Sequence, residues 1–111
     1  MNLAVEIYKV TEGFPREEKY SLTDQMRRAA VSVSSNIAEG AARQTKKEFV
    51  QFLHMAQGSL SGLDTQLEVA RQLKFLGGDS WQRLDTVIER VDKMITGLIR
   101  HQSGKVGRVK D

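Results

Sequence analysis

The sequence predicts an all-α protein, an up-down-up-down antiparallel four-helix bundle. Between residues 46 and 76, apolar side chains recur at alternating steps of four and three, the period of an amphipathic helix. Three other segments show similar rows, and none shows the strict alternation that is typical of a strand. The connection between the second and third helices is only a few residues long, which predicts antiparallel neighbours. The predicted helices span residues 2–11, 22–42, 46–76 and 80–100.

Stop and start signals separate the first two predicted helices. Gly13 and Pro15 follow the first helix in the usual order of stop signals. Ser21 is the expected N-cap of the second helix, and Asp24 supplies the acid of a capping box. The predicted buried row of this helix consists of Leu22, Met26, Ala29, Ala30, Val33, Ile37 and Ala41.

The third helix is expected to begin at a second capping box, formed by Thr45 and Glu48. Its first apolar row consists of Phe49, Leu53, Ala56, Leu60, Leu63, Leu67 and Ala70. Its second row consists of Phe52, Met55, Ser59, Gly62, Gln66, Val69, Leu73 and Leu76. A helix with two such rows contacts neighbours on two sides, which favours a bundle that assembles with further copies. Ser59 and Gly62, two of the small residues in the second row, are predicted interface residues.

The glycine pair Gly77 and Gly78 is expected to end the third helix. The last predicted helix follows this pair, with Asp79 or Ser80 as its expected N-cap. Its apolar row consists of Trp81, Leu84, Ile88, Val91, Ile95 and Leu98, with Val87 and Met94 beside it. The periodicity disappears after residue 101. We therefore predict one bundle domain over residues 1–101 and a disordered basic tail over residues 102–111.

Composition excludes several classes of protein. A chain of 111 residues predicts a single domain, and the absence of cysteine excludes disulfides and thiolate metal sites. No apolar run is long enough for a membrane span, and the N-terminus lacks a secretory signal, so we expect a cytoplasmic protein. Its 17 basic and 14 acidic residues give a net charge of +3, mostly from the tail.

Nothing in the sequence assembles a catalytic, metal or cofactor site. The two histidines, His54 and His101, lie on different helices, and neither follows a glutamate by three residues, as di-iron bundle sites require. The glycines form no phosphate-binding loop. We therefore predict that the protein is not an enzyme and binds no cofactor.

Basic residues are the main candidates for a binding site. Arg43, Lys46 and Lys47 crowd the loop between the second and third helices, and Arg27 and Arg28 lie about four turns away. For one chain, we give equal weight to phosphate binding and to a helix surface that is only solvated. A ring would repeat these basic residues in each subunit and so strengthen the patch. For the aromatic residues Tyr20 and Trp81, we favour packing over base stacking.

The second helix contains four polar residues, Ser32, Ser34, Ser35 and Asn36, which are poor helix formers. Close helix packing or an oligomer interface explains them better than a polar binding surface does, because small polar side chains allow helices to approach and to pair.

Several motifs together resemble one family. They are AVEIYK at residues 4–9, MRRAAVSVSSNIAEG at 26–40, KEFVQFL at 47–53, GSL at 58–60 and LDTQL at 63–67. The chain resembles, over about residues 2–98, the four-helix bundle proteins encoded in intervening sequences of 23S ribosomal RNA. This family includes the accessory variability determinant of diversity-generating retroelements.

The resemblance implies a bundle that assembles into a ring of five, a homopentamer, with a basic surface for nucleic acid and no catalysis. By position, it makes Arg27, Arg28, Arg43, Lys46 and Lys47 the nucleic-acid-binding candidates. Ser35, Asn36 and Glu39 become candidates for structure and interface. Two hypotheses follow: a ring that binds ribosomal or other structured RNA, or a protein-interaction scaffold with a partner such as a reverse transcriptase.

Overall fold

The computed structural model describes the backbone of residues 2–108 and the side chains of residues 2–103. Four α-helices and one short 3₁₀ turn, Arg16–Glu18, make up this part of the chain, which contains no strand. None of its helices combines the length and apolar character that a membrane crossing requires. The prediction of an all-α, four-helix chain is therefore confirmed. The helices are α1 (Leu3–Thr11), α2 (Leu22–Ala41), α3 (Lys46–Gln72) and α4 (Gly78–Arg108).

The hydrophobic core is centred on the first apolar row of α3. Phe49 is half-buried, and the other six members of the predicted row are buried. Each fully buried leucine contributes about 1.5–3 kcal/mol relative to an exposed one. The other helices add buried residues that pack onto this row: Leu3, Ile7, Met26, Ala30, Val33, Leu84, Val87, Ile88 and Ile95.

Side-chain contacts join α2 to α3 and α3 to α4. Ser32 of α2 meets Ser59 of α3 at 2.8 Å. One end of α2, at Gly40, packs against Phe52 near the start of α3. Between α3 and α4, Gln57 Nε2 donates to Thr96 Oγ1 at 3.0 Å.

Gly40 allows α2 and α3 to approach closely. A Cβ atom at this position would lie 2.7 Å from Phe52 Cβ and 2.9 Å from Phe49 Cδ1. Atoms at these distances overlap, so only glycine fits without a shift of the helices. Gly40 is therefore a packing residue near the end of α2.

The short helix α1 is held at both ends and from two sides. Asn2 Oδ1 accepts a hydrogen bond from the Val5 amide at 3.3 Å and caps its start. Glu6 pairs with Arg83 of α4. Beyond α1, the ring of Phe14 packs against that of Phe75, with their centroids 5.5 Å apart. These contacts supply the tertiary stabilisation that a helix of nine residues requires.

Helix α3 ends earlier than predicted, at Gln72 rather than residue 76. Lys74 adopts a φ of 63°, in the left-handed region. The Lys74 amide donates to the Arg71 carbonyl at 3.0 Å, and the Phe75 amide donates to the Ala70 carbonyl at 2.9 Å. This pair of bonds is a Schellman motif with lysine at the position that glycine usually occupies. The glycine pair that was expected to end α3 instead begins α4.

Two of the predicted caps differ in the structure. Ser21 occupies the N-cap position of α2 but makes no side-chain capping bond, and its hydroxyl donates to Glu18 Oε1 at 2.8 Å. The first bond of α4 runs from the Trp81 amide to the Gly77 carbonyl, so Asp79 lies inside the helix. Neither Asp79 nor Ser80 is therefore the cap.

Thr45 caps α3 as predicted, because its Oγ1 accepts a hydrogen bond from the Glu48 amide at 3.1 Å. The Thr45 hydroxyl donates to Glu48 Oε1 at 2.9 Å. In a full capping box, this carboxylate would instead accept a hydrogen bond from the Thr45 amide.

The last helix extends beyond the predicted boundary at residue 100 and continues to Arg108. The predicted disordered tail therefore begins as helix over residues 102–108, and the prediction for residues 109–111 lies outside the described residues. Adding a residue to an existing helix gains one backbone hydrogen bond without a new nucleation cost. A helix can thus continue where the apolar period that revealed it has ended.

Candidate nucleic-acid interface

The predicted basic residues near the α2–α3 turn lie together in the structure. Arg43 follows the end of α2, and Lys46 and Lys47 occupy the first turn of α3. All three are exposed. Lys46 and Lys47 line a groove of about 380 Å³ with Val50 and with residues 102 and 103 of α4. The helical extension beyond residue 101 therefore forms one wall of this lysine groove.

Arg43 is held in place by two contacts. Its Nη2 lies 3.5 Å from Glu39 Oε2, and its guanidinium lies 4.7 Å from the centroid of the Phe52 ring. Phe52 also packs against Gly40. The ion pair is exposed and contributes only about 0–1 kcal/mol. A phosphate can therefore compete for Arg43 while the aromatic ring keeps the guanidinium at the turn.

Arg27 and Arg28 occupy a different part of α2. Along the helix from Arg28 to Ala41, a rise of about 1.5 Å per residue separates them from the α2–α3 turn by about 20 Å. The structure therefore does not combine the five predicted basic residues into one patch. It forms two groups, one at each end of α2.

Arg27 is tied into the fold and is not a free phosphate ligand. Its Nε donates to Thr11 Oγ1 at 2.9 Å, and its Nη2 donates to the Tyr8 carbonyl at 3.4 Å. The guanidinium also lies 4.5 Å from the centroid of the Tyr8 ring. These contacts join α2 to the end of α1. Arg28, in contrast, has a side chain that is 81% exposed and pairs only with Asp24 at 3.0 Å among the described side chains.

The sequence did not identify a second groove, between α1 and α2. It has a volume of about 530 Å³ and is lined by Tyr8, Lys19, Tyr20, Asp24, Arg27, Arg28, Val31 and Ser32. Tyr20 is 86% exposed, so the prediction that it packs is wrong, whereas Trp81 is half-buried against the core. The available sequence signal for this groove was the adjacent pair Lys19 and Tyr20 in a charged turn.

The predicted interface residues divide into three environments. Asn36 Nδ2 donates to the Ser32 carbonyl at 2.9 Å and to Ser32 Oγ at 3.1 Å, and Ser32 in turn pairs with Ser59. This cluster joins α2 to α3, as expected for close packing. Ser35 and Glu39 are exposed. A Cβ atom at Gly62 would meet nothing within 4 Å in this chain.

An acidic groove lies between α3 and α4. Burial and then the negative charges of Asp85, Glu68 and Asp92 raise the pKa of Asp64. Glu89 also lines this groove. The described residues contain no group of three or more acids or histidines arranged to hold a metal ion. Negative potential here disfavours a nucleic acid, so the basic groups at the α2–α3 turn and on α2 are the candidates for contact.

Comparisons with known proteins identify the family of this chain. A search of curated proteins finds no match. A crystal structure of a protein of unknown function from the S23 ribosomal protein family of Bacteroides thetaiotaomicron superposes with a TM-score of 0.79. The two sequences are 19% identical, and the match covers 88% of this chain and 92% of the other, which shows a shared fold. The model of the 23S rRNA-intervening sequence protein family matches residues 1–97, and the chain therefore belongs to that family.

Proposed function

We propose that the protein is a non-enzymatic, cytoplasmic up-down-up-down bundle that forms a ring of five and binds structured RNA or a ribonucleoprotein by charge. The observation that carries this proposal is the exposed group of Arg43, Lys46 and Lys47 at one end of the bundle. Within the described side chains, neither lysine forms an ion pair. Membership of the 23S rRNA-intervening sequence protein family supports a nucleic-acid ligand, because the resemblance to this family implies a basic surface for nucleic acid.

Assembly would strengthen this weak patch. One chain offers three exposed cations, which give a modest electrostatic attraction to phosphates. A ring of five repeats them around one axis, so that a single RNA contacts several copies at once. Release of condensed counterions from the RNA then supplies most of the binding free energy, and affinity falls steeply with salt.

The experiment measures binding of stem-loop fragments of 23S ribosomal RNA across a salt series, with light scattering on the same samples. Replacing Arg43, Lys46 and Lys47 together by alanine should weaken binding and reduce the salt slope by about two to three for each subunit that contacts the RNA. A matched control removes three positive charges elsewhere, by replacing Lys9, Arg90 and Lys93, which are also exposed. Equal slopes for the two variants would refute the role of this group.

A second candidate function is a protein-interaction scaffold without direct RNA binding, for example an accessory to a reverse transcriptase. The observation that favours it is the second row of α3, whose Met55, Val69 and Leu73 are 43–54% exposed in the single chain. Large apolar side chains exposed along one helix are typical of contact with another protein.

Gly62→Leu tests the scaffold, because a Cβ atom at Gly62 would meet nothing within 4 Å beyond its own helix backbone. The fold should therefore persist, whereas the leucine should disrupt a neighbour that packs on the second row and lower the mass of the oligomer. Gly97→Leu is the matched control, since this exposed glycine of α4 is equally open. A pure scaffold also predicts purified protein without nucleic acid, measured by the absorbance ratio at 260 and 280 nm.

A further inference from the structure

We propose that the groove between α1 and α2 binds an unpaired segment of RNA, with a base stacked on Tyr20 and phosphates held by Lys19 and Arg28. This inference rests on the proposed RNA-binding function and specifies a second contact, with a different chemistry from the lysine groove. Stacking on an aromatic ring requires a base that has left a helix, so the ligand is single-stranded at this point.

The first observation is the exposure of Tyr20. Burying an aromatic side chain contributes substantially to folding, and a ring left 86% exposed forgoes that contribution. The backbone around it is nevertheless ordered. The Lys19 amide donates to the Arg16 carbonyl and the Ser21 amide to the Glu18 carbonyl, both at 3.1 Å. Tyr20 is therefore a ring presented to solvent by a hydrogen-bonded turn, which limits the entropy lost when a base stacks on it.

The second observation is the placement of the cations. The ammonium of Lys19 lies 5.4 Å from the centroid of the Tyr20 ring, and Arg28 lines the same groove with an 81% exposed side chain. A base stacked on the ring would thus carry its phosphates toward positive charges. The single acid in the lining, Asp24, is already paired with Arg28. The positive charge of the groove therefore complements a nucleic-acid backbone, and not only the acidic groove of a second copy.

The third observation is a supporting wall. Tyr8 is 44% exposed, and the guanidinium of Arg27 covers part of its ring at 4.5 Å. The bonds of Arg27 to Thr11 and to the Tyr8 carbonyl hold α1 against α2. Arg27 thereby acts as a positioning residue that keeps the two sides of the groove at a fixed separation.

The test compares a fluorescein-labelled unpaired RNA decamer with a duplex of the same length, by fluorescence anisotropy. Tyr20→Ala should weaken binding of the unpaired decamer on the order of tenfold, change duplex binding less than about twofold, and leave the salt slope unaltered because no charge is lost. Tyr20→Phe retains the ring and should bind like wild type. Met94→Ala is the matched control, since it removes a large exposed side chain on α4 that does not line this groove.

Each other outcome overturns the inference. Equal weakening of both RNAs, or no effect of Tyr20→Ala while the wild type binds, would refute stacking but leave the charged lysine groove intact. A change of oligomer mass in Tyr20→Ala would assign the groove to a second copy of the chain. If the wild type binds neither RNA at low salt, the proposed function itself fails. Circular dichroism of each variant establishes that the helices remain folded.

Discussion

Replacing Gly40 by alanine should destabilise the protein, although alanine is the better helix former. The added Cβ would lie 2.7 Å from Phe52 Cβ and 3.3 Å from the Phe49 carbonyl oxygen. Neither is the free end of a flexible side chain. The Cβ of Phe52 moves only with its backbone, and the carbonyl belongs to the first turns of α3. Relief of the overlap therefore requires a shift of α2 relative to α3.

The magnitude follows from two opposing effects. Overpacking of a close contact costs about 1–3 kcal/mol. The helix propensity of alanine over glycine returns up to about 1 kcal/mol, and less near a helix end, where Gly40 lies. The expected net loss is about 1–2 kcal/mol. For a domain of this size, that loss lowers the melting temperature by roughly 4–9 °C.

Urea unfolding followed by circular dichroism, at one fixed protein concentration, measures this difference. Gly97→Ala supplies the matched control, because a Cβ at Gly97 meets nothing within 4 Å and should stabilise the protein by about 0.5–1 kcal/mol. The two identical substitutions thus have opposite expected signs. A Gly40→Ala variant as stable as the Gly97→Ala variant would show that the close approach of α2 and α3 is wrong.

Two further predictions concern single positions. Lys74→Gly should stabilise the protein by about 1 kcal/mol, because glycine adopts the φ of 63° without the steric cost that lysine incurs; an unchanged or lower urea midpoint would contradict this. Asp64→Asn should raise the midpoint at pH 7, since burial and neighbouring acids raise the pKa of Asp64 and its carboxylate penalises the folded state above that pKa. The gain should disappear as the pH falls below about 3.9, the ordinary aspartate pKa, and a gain that persists there would refute the electrostatic cause.

The core could be predicted from the sequence because its signal is local and repeated. The steps of three and four in α3 specify one face of a helix, and only Phe49, at the end of the row, is not fully buried. The ends of the helices could not be predicted equally well. Lys74 adopts a conformation that lysine disfavours, and the nearby Gly77 and Gly78 offered a stronger stop signal than the residues that form the Schellman motif.

The candidate site was less predictable because its geometry depends on contacts between helices. Arg27 and Arg28 are adjacent and chemically identical, yet α1 binds one and leaves the other exposed. The apolar row of α2 places Arg27 nearer the buried side than Arg28, but the sequence does not identify the groups of α1 that bind Arg27. Tyr20 is similar: whether an aromatic residue in a charged loop packs or projects depends on where the turn meets α2.

The arrangement of charge favours an RNA that crosses the bundle along α2. The lysine groove and the Tyr20 groove lie near opposite ends of this helix, about 20 Å apart at a rise of about 1.5 Å per residue. That distance corresponds to roughly six stacked nucleotides at 3.4 Å each. The acidic groove of Asp64 and Asp92 lies between α3 and α4, as the lysine groove does, but nearer the other end of α3, so it disfavours a path from the lysines along the seam of these two helices. A ligand with a paired segment at the lysines and an unpaired segment at Tyr20 fits both basic grooves and avoids the acidic groove. A purely double-stranded RNA does not fit the Tyr20 groove, because it has no base to place on the ring.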